Sequence, residues 1–136
     1  MCPQRRWKLS PLQKHIKQTG LKRLVLAFGY SSHGFKVGWQ EPAFRQEALA
    51  ALVLLPLALW LGNTWLEQAM LVGAVVAVMV VELLNTAIEA AIDRVGPEWH
   101  DLSKKAKDLG SAAVLMSLVF CALVWTAALW HKFLPA

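Results

Sequence analysis

Residues 65–95 read WLEQAMLVGAVVAVMVVELLNTAIEAAIDRV and combine an apolar run with a polar, helically spaced continuation. Its first half contains an uncharged apolar run from 69 to 81, and its second half keeps helical spacing until a Gly-Pro pair follows it. Trp65 and Glu82 are 17 residues apart, which corresponds to about 26 Å of α-helix. Because a hydrocarbon core is about 30 Å thick, the stretch predicts a membrane-crossing helix that emerges into the polar boundary near Glu82.

Two further apolar runs flank this helix. The earlier run, residues 48–61, carries no charge and contains Pro56, which membrane helices tolerate. It spans a bilayer only if polar residues at one end are included. The later run, residues 109–130, is uncharged over 22 residues and is long enough to span alone. We therefore predict three transmembrane helices, at residues 43–62, 65–95 and 108–131.

The composition is that of a membrane protein. Hydrophobic residues make up 57% of the chain and charged residues 17%, with a mean hydropathy of +0.43. Average soluble domains have roughly 45–50% apolar and about 25% charged residues. Such an apolar chain is not intrinsically disordered, and its two cysteines cannot form a disulfide framework.

The distribution of Lys and Arg predicts the orientation. Nine of the 14 lie in the first 45 residues and four lie between Arg94 and Lys107, whereas the connection at residues 62–68 has none. The positive-inside rule places the N-terminus and the second connection in the cytoplasm. A nucleic-acid partner is not expected, because the basic residues form two membrane-flanking blocks and not one spread face.

The N-terminal region and the tryptophans extend this topology. Residues 21–28 combine apolar and basic side chains and predict an amphipathic surface helix, which the following glycines should end in a turn or hinge. Tryptophans favour membrane interfaces. In the predicted topology Trp39 and Trp99 fall at the inner boundary. The outer boundary receives Trp60, Trp65, Trp125 and Trp130.

Polar residues converge at one end of the second span. Glu82, Asn85, Glu89 and Asp93 follow the spacing i, i+3, i+7, i+11 and share an arc of roughly 80° on the helix. Acidic residues at membrane depth are costly and usually functional. Their oxygens suit Mg²⁺, which is often held by one or two carboxylates plus phosphates. The alternative is a set of structural salt bridges with neighbouring Lys and Arg.

A second alternative is a small ion-coupled transporter. Such a protein needs its acidic residues near the bilayer midplane. Here they cluster at one end and continue into the cytoplasm, so a reaction between a lipid and a water-soluble partner is favoured.

Several segments resemble the prokaryotic diacylglycerol kinase family, which includes the undecaprenol kinases. They are VELLNTAIEAAID at 81–93, EWH at 98–100, AKDLGSAA at 106–113, GYS at 29–31 and EPAFRQE at 41–47. The resemblance covers residues 22–131. It implies an all-α membrane protein with an N-terminal amphipathic surface helix and three transmembrane helices, assembled as a homotrimer with active sites shared between protomers. These enzymes transfer the γ-phosphate of Mg-ATP to a lipid hydroxyl.

The resemblance also implies roles for individual residues. Glu82 matches the catalytic general base, Glu41 and Glu89 match the Mg²⁺ ligands, and Asn85 and Asp93 match supporting polar positions. The implied ATP-binding residues are Arg23, Tyr30, Glu41, Glu89, Glu98, Trp99, His100, Lys107 and Asp108. The implied lipid-substrate residues are Arg23, Phe44, Arg45, Gln46, Glu47, Glu82 and Ser111.

The resemblance implies a lipid kinase of the bacterial inner membrane, with its N-terminus and active site in the cytoplasm. The form of the motif at 41–47 favours phosphorylation of 1,2-diacylglycerol to phosphatidic acid, with undecaprenol as the alternative lipid. Residues 1–21 are predicted to be a basic extension and residues 22–136 the membrane kinase domain. Three features depart from the family pattern: a longer basic leader before Lys22, Trp99 where many members have Tyr, and a turn before Glu41 that is one residue shorter than in some members.

Overall fold

The computed structural model describes residues 20–134, which divide after His33. Residues 20–33 belong to the first unit and residues 34–134 to the second. All regular secondary structure in the described part is helical, which confirms the all-α class. Most of the predicted basic extension, residues 1–21, lies outside the described residues, and the domain division stays a prediction. The helices are α1 (Leu21–Gly38), α2 (Pro42–Leu61), α3 (Trp65–Asp93) and α4 (Asp101–Phe133).

The last three helices are long and apolar enough to cross a membrane, which confirms the three predicted spans. The 20 residues of α2 correspond to about 30 Å, close to the thickness of the hydrocarbon core. The 29 residues of α3 and 33 residues of α4 correspond to about 44 and 50 Å, so both extend beyond it. Accordingly α4 begins at Asp101, before the predicted start at 108, because an apolar run marks only the membrane part of a helix.

Local sequence explains where these helices begin and end. Pro42 occupies the first turn of α2, where its missing N–H is not needed. At the start of α3 the Thr64 hydroxyl accepts a hydrogen bond from the Glu67 N–H at 3.2 Å, which caps the helix. After α3 ends at Asp93, Gly96 adopts a φ of +142°, a conformation that favours glycine.

The prediction of a turn or hinge at Gly29, Gly34 and Gly38 is confirmed at Gly38 and wrong at the other two glycines. Helix α1 continues through Gly29 and Gly34 and ends only at Gly38. An isolated glycine lowers helix stability by about 1 kcal/mol relative to alanine, and tertiary context overrides such preferences. The chain turns at Trp39 and Gln40, directly after Gly38.

The core of the second unit lies between α2, α3 and α4. Helix α3 is central, because it packs against both other helices, which hardly touch each other. Trp125 is only 8% exposed and belongs to this core, so its side chain packs within the bundle, and its depth at the outer boundary stays a prediction. Trp60, Trp65 and Trp130 are exposed. The core residues are Ala51, Ala58, Leu61, Leu71, Val75 and Trp125.

The α2–α3 connection and the last turn of α4 meet in a region that we call the turn end. Lys132 Nζ donates a hydrogen bond to Asn63 Oδ1 at 3.0 Å and lies 5.6 Å from the centre of the Trp60 ring. The Asn63 N–H donates to Glu67 Oε2 at 2.7 Å. The Gln68 amide donates to two backbone carbonyl oxygens, each at 3.1 Å. Polar groups at this end therefore bind one another.

Candidate active site

Four carboxylates gather at the other end of α3, and we call them the carboxylate cluster: Glu41, Glu47, Glu82 and Glu89. Glu41 precedes α2, and Glu47 lies in the second turn of that helix. Glu82 is close enough to Glu41, Glu47 and Glu89 for their charges to repel one another. The fold therefore assembles like charges from two helices at one place.

Burial decreases along the predicted polar stripe of α3. Glu82 is 6% exposed and Asn85 is 9% exposed. Glu89, two turns beyond Glu82, is half-buried, and Asp93 is exposed. The predicted single face of α3 is thus present, and it runs from the packed interior of the bundle to its surface.

Asn85 connects this stripe to α4. Its Nδ2 donates a hydrogen bond to Glu89 Oε1 at 3.2 Å. Its Oδ1 is buried and has no hydrogen-bond partner. This oxygen lies against Gly110 of α4. The amide therefore contacts both the carboxylate cluster and the neighbouring helix.

The ion pairs at this end leave the carboxylate cluster unpaired. Lys107 Nζ donates to Asp93 Oδ1 at 2.7 Å and thereby joins α4 to α3. Lys104 pairs with Asp108 along α4. These are the ion pairs that the structure contains within residues 34–134. The alternative of structural salt bridges therefore holds for Asp93, but not for Glu82 or Glu89.

The connection from α3 to α4 has a structural role that sequence reasoning missed. His100 Nδ1 accepts a hydrogen bond from the Leu102 N–H at 3.2 Å and so caps α4. Trp99 Nε1 donates to Asp101 Oδ1 at 3.2 Å. Trp99 and Glu98 are exposed, so both side chains are open to a ligand. A polar residue directly before the helix was the available signal for the cap.

The residues predicted to surround the lipid divide into buried and exposed groups. Phe44 is buried and Glu47 is half-buried with an unpartnered Oε2. Arg45, Gln46 and Ser111 are exposed. Glu47 also lines a crevice of about 90 Å³ that is otherwise apolar. The other lining residues are Ala50, Leu54, Val75, Val78, Met79, Leu118 and Cys121.

Two predicted site residues belong to the other unit. Arg23 and Tyr30 are exposed on α1 within residues 20–33. The carboxylate cluster is formed wholly by the second unit. The nucleotide role of Arg23 and Tyr30 stays a prediction.

Three membrane-length helices with unpaired carboxylates at one end define a small integral membrane protein with a polar site at the edge of its apolar bundle. Residues 29–129 match the family described as prokaryotic diacylglycerol kinase. The chain is 45% identical to the diacylglycerol kinase of Escherichia coli over 116 residues, which are 85% of this chain and 95% of that protein. It therefore belongs to the prokaryotic diacylglycerol kinase family.

Other relatives agree with this assignment. The diacylglycerol kinase of Pseudomonas aeruginosa is 46% identical over 113 residues, 82% of this chain and 92% of that protein. The diacylglycerol kinase of Helicobacter pylori is 46% identical over 118 residues, 86% of this chain and 92% of that protein. The predicted family and the predicted enzyme class, a lipid kinase, are confirmed.

Proposed function

We propose that this chain phosphorylates 1,2-diacylglycerol to phosphatidic acid, with Mg-ATP as the phosphoryl donor, at the carboxylate cluster. One observation carries the proposal: Glu82 is 6% exposed and pairs with no Lys or Arg of residues 34–134. Burying a carboxylate without a partner costs free energy. A catalytic role accounts for this arrangement, whereas a stabilising role does not.

Glu82 acts as the general base. Its carboxylate accepts the proton of the lipid hydroxyl while the hydroxyl oxygen forms a bond to the γ-phosphorus of ATP. The bond from that phosphorus to the β–γ bridging oxygen breaks, and ADP leaves. Phosphoryl transfer depends mainly on positioning and electrostatic stabilisation. Lys107, held by Asp93, supplies positive charge toward the phosphates.

Glu41 and Glu89 are the residues that would hold Mg²⁺. Within residues 20–134, no three His, Cys, Asp or Glu side chains approach closely enough to bind an ion alone. The donor set still fits, because Mg²⁺ needs only one or two carboxylates when phosphates and water provide the other ligands. Repulsion of Glu82 by both Glu41 and Glu89 also favours a cation. A bound Mg²⁺ neutralises charge on the phosphate oxygens.

The lipid is proposed to reach Glu82 through the apolar crevice between α2, α3 and α4. The crevice beside Glu47 is lined by apolar side chains of α2, α3 and α4, which suits part of an acyl chain, and the lipid hydroxyl is proposed to reach Glu82. Residues proposed to flank the lipid are Arg23, Phe44, Arg45, Gln46 and Ser111. Residues proposed to contact the nucleotide are Arg23, Tyr30, Glu98, Trp99, His100, Lys107 and Asp108.

Assembly and orientation are also proposals. Helix α4 contains only two buried residues, Gly110 and Trp125, and its exposed apolar side chains, such as Leu115, Met116 and Leu123, are available to lipid or to other copies in a homotrimer. We propose that α1 lies on the membrane surface and that the carboxylate cluster faces the cytoplasm of a bacterial inner membrane. Single cysteines at Asn63 and Lys105, in a chain lacking Cys2 and Cys121, should then label from opposite sides of the membrane. Labelling from the same side would contradict this orientation.

The substrate is tested with purified protein in mixed micelles or vesicles that contain either diacylglycerol or undecaprenol. We expect ATP-dependent phosphorylation of diacylglycerol to be faster at equal lipid fraction. Faster phosphorylation of undecaprenol would reassign the substrate within the family. ATP consumption that does not depend on either lipid would contradict the proposal.

A further inference from the structure

We propose that Gly110 is a positioning residue for Glu89, and that it acts through Asn85. The inference rests on the proposed role of Glu89 as a Mg²⁺ ligand. It concerns a contact between α3 and α4 that leaves no room for a side chain at position 110.

The contact is defined by the space around Gly110. A Cβ added at this position would overlap Asn85 Oδ1 and would lie 3.3 Å from Asn85 Cγ. Gly110 is itself buried, and Asn85 is 9% exposed. The carboxamide of Asn85 therefore lies directly against the bare backbone of α4, in a place that any larger residue would occupy.

A glycine in the middle of a helix requires an explanation, because it destabilises the helix by about 1 kcal/mol relative to alanine. At Gly110 the explanation is that the Asn85 side chain lies too close to the backbone of α4 for a side chain at position 110. Asn85 Oδ1 has no N–H or O–H donor, and it faces the Cα–H of Gly110, which is a weak donor. Gly73 in α3 differs, since nothing lies within 4 Å of its Cβ position.

This contact determines where the other half of the carboxamide points. With Oδ1 held against Gly110, the Nδ2 of Asn85 donates to Glu89 Oε1 at 3.2 Å. One oxygen of the Glu89 carboxylate is thereby held, and the other is left for a cation. Groups that orient a metal ligand in this way commonly change metal affinity about 10- to 100-fold when they are mutated.

The main test compares Gly110→Ala with the matched control Gly73→Ala in the full chain. Mn²⁺ replaces Mg²⁺, and its binding is measured by electron paramagnetic resonance with a non-hydrolysable ATP analogue. We expect Gly110→Ala to weaken Mn²⁺ binding by about tenfold or more and Gly73→Ala to leave it unchanged. Unchanged binding in folded Gly110→Ala would overturn the inference.

A double-mutant cycle tests whether Gly110 acts through Asn85. Because both substitutions disturb the same contact, their effects should not add. In an Asn85→Ala background, Gly110→Ala should cause no further loss of Mn²⁺ binding. A further loss as large as that in the wild-type background would overturn the inference.

Two more variants keep the result interpretable. If Gly110→Ala does not fold, Asn85→Leu replaces it, because leucine fills similar space but lacks the amide. We expect Asn85→Leu to weaken Mn²⁺ binding about tenfold. Unchanged Mn²⁺ binding in this variant would overturn the inference. Glu89→Gln reports on the proposed function itself. Unchanged Mn²⁺ binding there would contradict the metal role of Glu89. If Glu89→Gln loses Mn²⁺ binding while folded Gly110→Ala keeps wild-type binding, the role of Gly110 is overturned and the metal role of Glu89 stands.

Discussion

The polar groups at the start of α3 have hydrogen-bond partners, whereas the carboxylates in its second half lie near other carboxylates. At the turn end, Glu67 accepts the Asn63 N–H, and Lys132 binds the Asn63 side chain. In the second half of the helix, Glu82 is buried, and the charges of Glu41 and Glu89 repel its own. One helix therefore begins in a network of hydrogen bonds and carries, before its final Asp93–Lys107 ion pair, carboxylates that no Lys or Arg of residues 34–134 pairs with.

This difference assigns a stabilising role to the turn end and a functional role to the carboxylate cluster. A satisfied hydrogen bond contributes about 0.5–1.5 kcal/mol, so the turn end stabilises the connection between α2 and α3. Neighbouring carboxylates repel one another and need a cation or a shared proton. An arrangement that costs stability at membrane depth marks a functional site. Mutations at the two ends should therefore affect different measurements.

The largest expected effect is on turnover. Glu82→Gln keeps the shape of the side chain but removes the general base, and we expect a loss of about 10²-fold or more, measured as diacylglycerol-dependent ATP consumption. Its thermal stability should not fall, because a buried charge is removed. The matched control is Glu67→Gln in the same helix, whose side-chain oxygen still accepts the Asn63 N–H. Equal losses in both variants would erase the distinction between the two ends.

The next effect concerns Mg²⁺. Glu41→Ala and Glu89→Ala should each raise the Mg²⁺ concentration for half-maximal activity by about tenfold or more, because each removes a hard oxygen ligand. High Mg²⁺ should partly restore these variants and should not restore Glu82→Gln. If high Mg²⁺ restored all three or none of them, the division of roles within the carboxylate cluster would be wrong.

A smaller effect is expected at the ion pair between α3 and α4. Both Asp93 and Lys107 are substantially exposed, so Asp93→Asn should change the free energy of unfolding only slightly. The same change removes the negative charge that positions Lys107 and leaves only a weaker, neutral acceptor, and the KM for ATP should rise while kcat changes little. A large fall in the melting temperature with an unchanged KM would instead make the pair purely structural.

The smallest effect belongs to the turn end. Lys132→Met removes a hydrogen bond and a cation–π contact, and we expect it to lower the free energy of unfolding by about 1 kcal/mol, with turnover unchanged. Denaturant unfolding in mixed micelles measures the first quantity. A turnover loss comparable to that of Glu82→Gln would show that the turn end is not merely structural.

Local patterns in the sequence predicted much of this architecture. Apolar runs and helical periodicity were sufficient for the three spans and for the shared face of Glu82, Asn85 and Glu89, because both depend on one helix at a time. The fit of Asn85 against Gly110 and the burial of Trp125 depend on how two helices pack. No spacing within either helix contains that information.

The position of the bound nucleotide along α3 tests most directly whether it binds at the carboxylate cluster or at the turn end. A nitroxide label is attached at Lys105→Cys or at Asn63→Cys in a chain lacking Cys2 and Cys121, and Mn²⁺ is added with a non-hydrolysable ATP analogue. Residues 65 and 89 are about 36 Å apart along the helix, so only one label can be near the ion. We predict strong broadening of the Lys105→Cys signal and no change at Asn63→Cys. Stronger broadening at Asn63→Cys, or equal broadening at both, would contradict the account.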